Sequence, residues 1–191
     1  MIPSSDWHLG QAARVVARGG LIAYPTEGVF GLGCDPWNVS GLARLLAVKG
    51  RNAGKGFIVI AHSVAQLDGL VFYPNEEVRD RAIARWPGPV TWVLPVREEV
   101  PILLHGRRGS LAVRVTAHPI ASALCRITGP LVSTSANRSG HPPARDLLHV
   151  HAQFRTCVGY IVPGHVGTLA GPTEIRDAVT GRVLRGAQSC R

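Results

Sequence analysis

Lys49 and Lys55 are the only lysines in a chain whose other nineteen basic residues are arginine, and Arg51 lies between them. An ammonium is a compact charge on a flexible stem, whereas a guanidinium is a rigid planar fork, so the two are not interchangeable at a phosphate or carboxylate. Three cations on one short stretch repel one another unless water or an anion neutralises them. Gly50, Gly54 and Gly56 let the backbone approach such an anion closely. The cluster therefore reads as a polyphosphate site. A competing reading applies to Lys49 alone, as a side chain snorkelling at a helix C-terminus, where the dipole favours a cation.

Other polar groups directly follow apolar runs. Ser133, Thr134, Ser135 and Asn137 close the run Leu131-Val132, and Thr26-Glu27-Gly28 follows Leu21 to Pro25. Hydroxyls and amides at that density suit ligand contacts, although they also cap turns. Arg114 interrupts Leu111-Ala112-Val113-Arg114-Val115, where a strand would otherwise be apolar. It needs a ligand anion or an internal carboxylate, with Glu27 and Asp177 the candidates. No GxxxxGK[ST], HExxH or GxSxG occurs, and neither a Cys/His pairing nor a carboxylate pair stands out. The chemistry expected is charge stabilisation and positioning without a covalent enzyme intermediate. The residues alone thus point to a basic, hydroxyl-lined pocket for nucleotide phosphates and a second anion.

The elements that must hold these groups alternate along the chain. The 191 residues, 46% hydrophobic and 17% charged, suit one globular domain. A helix capped by Ser5 carries Leu9, Ala12, Ala13 and Val16 and stops at Gly19-Gly20. Further helices are predicted from Ser40 to Lys49, over 75–86, and from Pro119 to Ile127. Strands are predicted at 21–24, 57–60, 90–94, 111–115 and 131–135, with a C-terminal hairpin of 174–178 and 182–185. This pattern predicts a single-domain α/β fold, a mixed sheet flanked by helices, with ligands at the carboxyl ends of its strands. The net charge of +9 favours anionic partners, nucleotides or RNA. Four scattered cysteines, no signal-peptide pattern and no membrane-length apolar run of about 18 residues favour a cytoplasmic protein.

At these segments the sequence resembles the YrdC/TsaC family, the threonylcarbamoyl-AMP synthases. The resemblance spans about residues 6–186. It rests on Tyr24-Pro25-Thr26-Glu27 with Val29 to Gly33, Lys49-Gly50-Arg51 with Lys55, Trp86 to Thr91, Ser110 to Val115, Ser135-Ala136-Asn137, and Thr173 to Asp177. It implies a twisted mixed sheet with a basic concave cavity. It also implies synthesis of L-threonylcarbamoyl-AMP from L-threonine, bicarbonate and ATP, the first step toward threonylcarbamoyladenosine at position 37 of tRNAs reading ANN codons. By resemblance, Lys49 and Arg51 are catalytic. Arg51, Lys55, Ser110, Ser135, Asn137 and Arg185 bind ATP, while Thr26, Arg114, Ser133 and Thr173 bind threonine. Mg2+ arrives with ATP and needs no dedicated protein ligands. The resemblance further implies a monomer that passes its product to a threonylcarbamoyl-transferase complex. Many relatives carry a second threonine where this chain has Gly28, and a proline where it has Asn52, a change expected to loosen the loop. Two rival readings remain: a module that binds tRNA or double-stranded RNA without chemistry, and adenylation of a different amino acid.

Overall fold

The computed structural model describes residues 6–187. Helix α1 (Asp6–Ala17) buries Leu9, Ala12 and Val16, the stripe that its spacing predicts; Ser5 lies outside the described residues. The strands β1 (Ile22–Pro25) and β2 (Phe30–Gly33) form a hairpin in which Pro25 faces Phe30. Helix α2 (Val39–Lys49) starts at Asn38, whose side chain accepts the Gly41 N–H. It ends at Gly50, whose left-handed backbone turns its N–H back onto Ala47 and Leu46. Strand β3 (Ile58–Ala61) and helix α3 (Glu76–Ile83) follow, then β4 (Val90–Pro95), the short α4 (Ile102–His105) and β5 (Ser110–Val115). The chain continues with α5 (Pro119–Thr128), β6 (Leu131–Ser135), α6 (Leu147–Phe154) and β7 (Tyr160–Ile161). The hairpin of β8 (Glu174–Asp177) and β9 (Val183–Arg185) completes it.

The sheet runs β7-β1-β2-β6-β3-β5-β4-β8-β9. It is mixed, as the C-terminal hairpin requires: β3 with β5 and β4 with β8 are parallel, while β2 with β6, β3 with β6 and β4 with β5 are antiparallel.

Period-two alternation divides the core between the two faces. Ile22 and Tyr24, Ile60, and Leu131 turn toward α1 and α5, where they pack with Val16, Ala121 and Leu124. Ala23, Val59, Ala61, Val113 and Val132 turn the other way, into a larger core with Leu42 and Leu45 of α2. On the first face the covering is partial. Next to α1 and α5 the residues Gly31, Ile58, Val93, Ala112, Ser133 and Ile175 line a cavity instead. The ligand space predicted just past the strand ends thus lies largely on a sheet face. The reason is the antiparallel pairing of β6, which brings strand tips and strand middles beside one another.

Candidate active site

The cavity holds about 270 Å³. Arg51, Lys55, Arg108, Arg114 and Arg185 all line it, with Thr26, Ser133, Thr134, Ser135 and Thr173 between them, and no Asp or Glu among the described residues does. Burial and the charge of Arg108 push the Arg51 guanidinium below its ordinary pKa, and burial, Arg114 and Arg51 do the same to Arg185. Cations that destabilise one another in this way attract an anion.

Each cation is held by its own part of the chain. Arg51 follows the Gly50 cap, donates to Thr134 Oγ1 at 3.3 Å and lies over the Phe57 ring at 5.6 Å. Its Nε is buried without a partner. Lys55 ends a single 3-10 turn, Ala53–Lys55, in which Asn52 Oδ1 accepts the Gly54 N–H at 2.7 Å. Asn52 therefore supplies a cap that proline would lack. Arg108 donates to Gly54 O at 3.1 Å from the far side of that turn. Sequence reasoning missed Arg108; its left-handed neighbours Gly106, Arg107 and Gly109 mark a tight turn rather than a regular element. Arg185 comes from β9 and donates to Thr173 O at 2.8 Å.

Arg114 is buried and held from three sides. It meets Glu27 Oε2 at 3.0 Å, Thr173 Oγ1 at 2.9 Å and Thr91 Oγ1 at 3.1 Å. Glu27, and not Asp177, is its internal carboxylate. Burial pushes the Glu27 carboxyl up, but Arg114 and the Thr116 hydroxyl, which donates at 2.6 Å, outweigh it and hold the group below the usual carboxylate range. Arg114 Nε has no partner and the outer Nη2 retains an N–H, so the guanidinium is oriented but not exhausted. Thr26 donates its hydroxyl to Val29 O at 2.7 Å, closing the β1–β2 turn, and still reaches the cavity as an acceptor.

Three predicted site residues do not line the cavity. Lys49 is 4% exposed, at the inner end of the α2 stripe, and does not snorkel to water. Its Nζ donates to Ser135 O at 2.5 Å, Asn137 O at 2.8 Å and Asn137 Oδ1 at 3.1 Å, using all three protons on the loop after β6. Burial and the nearby Arg51 push its pKa down to about 8. Asn137 Oδ1 also accepts from Ser135 Oγ at 2.7 Å, and its Nδ2 donates to His141 O at 2.6 Å. Both residues therefore shape the Ser135–Asn137 loop, and Ser135 presents it to the cavity. Ser110 stands at the start of β5, on the side of Ala112 and Arg114 but outside the lining.

Residues 14–187 match the family model Sua5_yciO_yrdC, described as "Telomere recombination". The chain belongs to the Sua5/YciO/YrdC family. Among the family's curated proteins, the threonylcarbamoyl-AMP synthase of Nitrosococcus oceani is 53% identical over 181 residues, covering 94% of this chain and 98% of that protein. The Pseudomonas aeruginosa enzyme of the same name is 50% identical, covering 92% and 95%. Among solved structures, P. abyssi Sua5 complexed with L-threonine superposes with a TM-score of 0.85 at 34% identity. It covers 90% of this chain and 51% of that one, so this chain spans about half of the P. abyssi protein. E. coli YciO gives 0.82 at 27% identity, covering 95% and 90%.

Proposed function

We infer that this chain joins L-threonine, bicarbonate and ATP into L-threonylcarbamoyl-AMP with release of pyrophosphate, as a nucleotidyltransferase serving tRNA modification. The observation that carries the reading is the convergence of five cationic side chains on one hydroxyl-walled cavity without an acidic residue in its lining. The names of relatives about half identical over nearly the whole chain support it. The threonine amine condenses with bicarbonate, losing water, to give a carbamate. A carbamate oxygen then forms a bond to the α-phosphorus of ATP as the bond to the β-phosphate oxygen breaks. Nucleophile and electrophile are both anionic, so the protein must cancel their repulsion and hold them in line.

Arg51, Lys55, Arg108 and Arg185 face the triphosphate in this scheme, and Ser135 completes that side. Thr26, Ser133, Thr173 and the remaining N–H of Arg114 face the threonine carboxylate and hydroxyl. Mg2+ enters as MgATP and is held by phosphate oxygens and water, because no described Asp or Glu lines the cavity and Glu27, behind Arg114, is already engaged by Arg114 and Thr116. The product passes to a threonylcarbamoyl-transferase complex that modifies adenosine 37, with the synthase itself a monomer. The +9 net charge gives this chain the electrostatics to meet tRNA during that hand-over. The test is incorporation of labelled bicarbonate into an adenylate by purified protein with ATP, magnesium and threonine. Threonine-dependent product with matching pyrophosphate establishes the reaction. No product from folded protein that still binds tRNA in a salt-sensitive manner turns the reading toward a binding module.

A further inference from the structure

Between β7 and β8 the chain runs as a strap, residues 163–172, with no regular structure of its own. Its end, Pro172, and the adjoining Thr173 are part of the cavity wall. Val166 packs against the larger core, and bonds to other segments hold the rest of the strap. Gly167 N donates to Thr26 O at 2.9 Å and Leu169 N to Glu27 O at 3.1 Å. His118 Nε2 donates to His165 O at 3.1 Å, in the tautomer that leaves Nδ1 to cap α5.

A further attachment is Arg145. Its two terminal nitrogens donate to consecutive strap carbonyls, Nη2 to Leu169 O at 3.0 Å and Nη1 to Ala170 O. It makes no ion pair among the described residues, although it is an exposed cation. The loop that carries it is rooted on β2, the end of β6 and α2. Ala144 N donates to Ala136 O at 2.9 Å, Phe30 N to Ala144 O at 2.8 Å, and Ser139 N to Lys49 O at 3.0 Å. Arg145 thus ties the Ser135–Asn137 loop, on the phosphate side, to the strap that sets Thr173, on the amino-acid side.

We propose that Arg145 is a positioning residue for the amino-acid half of the site. Its forked hold on Leu169 O and Ala170 O fixes the strap and, through it, Thr173 beside Arg114. The two carbonyls are met by separate nitrogens of one planar fork, whereas a lysine would have to reach both from a single nitrogen on a more flexible stem. The assignment of the substrate as threonine rests on the function proposed above, whereas the latch itself does not.

The experiment compares wild type with Arg145→Ala and Arg145→Lys. Steady-state adenylate formation is expected to show KM for L-threonine raised roughly tenfold in the alanine variant, the size of losing one or two modest hydrogen bonds. The lysine variant should fall between, with KM for ATP and the melting temperature close to wild type. Amide hydrogen exchange at Gly167 and Leu169 should accelerate by about tenfold in Arg145→Ala, with core strand amides unchanged. A threonine KM within about twofold of wild type, an equal rise in both KM values, or unchanged exchange at Gly167 and Leu169 would overturn the proposal. Faster exchange in a protein that makes no adenylate would uphold the latch and remove the reaction assigned to the site.

Discussion

Replacing Lys49 with methionine keeps the shape of the side chain and removes its charge and its three donors. Two opposing effects follow at neutral pH. Ser135 O and Asn137 O lose their Nζ donor, at about 1–3 kcal/mol for each buried acceptor left unmet. Against this, an ammonium whose pKa falls from 10.5 to about 8 on folding carries a penalty of about 3 kcal/mol from burial and from the nearby Arg51, which methionine does not. The offset at pH 7 is therefore small, and the pH dependence is diagnostic. Below pH 8 the amine is protonated in both states and the gap between wild type and variant is flat. Between 8 and 10.5 the unfolded chain keeps a proton that the folded chain sheds, so wild type gains on the variant as pH rises, by about 3 kcal/mol across the window. Urea titrations of both proteins from neutral pH to about 10.5 measure this directly. Parallel stability curves over that range would refute the reasoning. Turnover of the variant should fall by ~10²–10³-fold, because the loop that presents Ser135 loses its anchor.

Arg51→Ala should lower adenylate formation by ~10²–10³-fold, as expected on losing one preorganised charge at the phosphates; near-normal turnover would remove Arg51 from the clamp. Glu27→Gln strands the buried Arg114 charge and should destabilise the fold by about 3–5 kcal/mol, seen as a lower urea midpoint. Because the Glu27 carboxyl is held below its ordinary 4.5 in the folded state, its contribution is present above that value and lost as pH falls through the folded pKa; the variant should show a flatter acid limb, and an unchanged acid limb contradicts the pairing. Gly28→Thr drives a new Cβ into Gly171 O and Leu169, and should lower stability by about 1–3 kcal/mol and the threonine affinity with it; an unaltered thermal melt would show that the strap yields freely.

Much of this architecture was legible from apolar spacing. The α2 stripe placed Lys49 in line with Leu42 and Leu45, and its burial follows from that position. The residue's task did not, because spacing says where a side chain points and not which carbonyls wait there. Strand β2 escaped notice because Phe30-Gly31-Leu32-Gly33 has half its side chains missing. The glycines are demanded by neighbours, with Gly33 pressed on Val132 O and Gly31 on Ser133 Oγ. Helix α6 escaped because its short length and two histidines give little periodicity, and Asp146 as its cap reads equally as a loop residue. Thr26, Arg51, Lys55, Arg114, Ser133 and Ser135 stood out by residue type and place, Thr173 and Arg185 only through the family resemblance, and all eight line the cavity. Arg108 did not stand out, as a tight turn carries no periodic signal.

Gly28 faces the strap across a gap too narrow for a methyl group, and Gly167 is also close to Glu27 O, 2.6 Å from where its Cβ would stand. These positions therefore cannot change independently. A lineage with a threonine at the first must already hold its strap farther out, and a lineage with the strap seated as here has closed off that residue. Substitutions in the two segments should arise in a fixed order, the strap moving first and the turn following. Grafting the turn of a threonine-bearing relative onto this chain should fail alone and succeed when the relative's strap is carried with it.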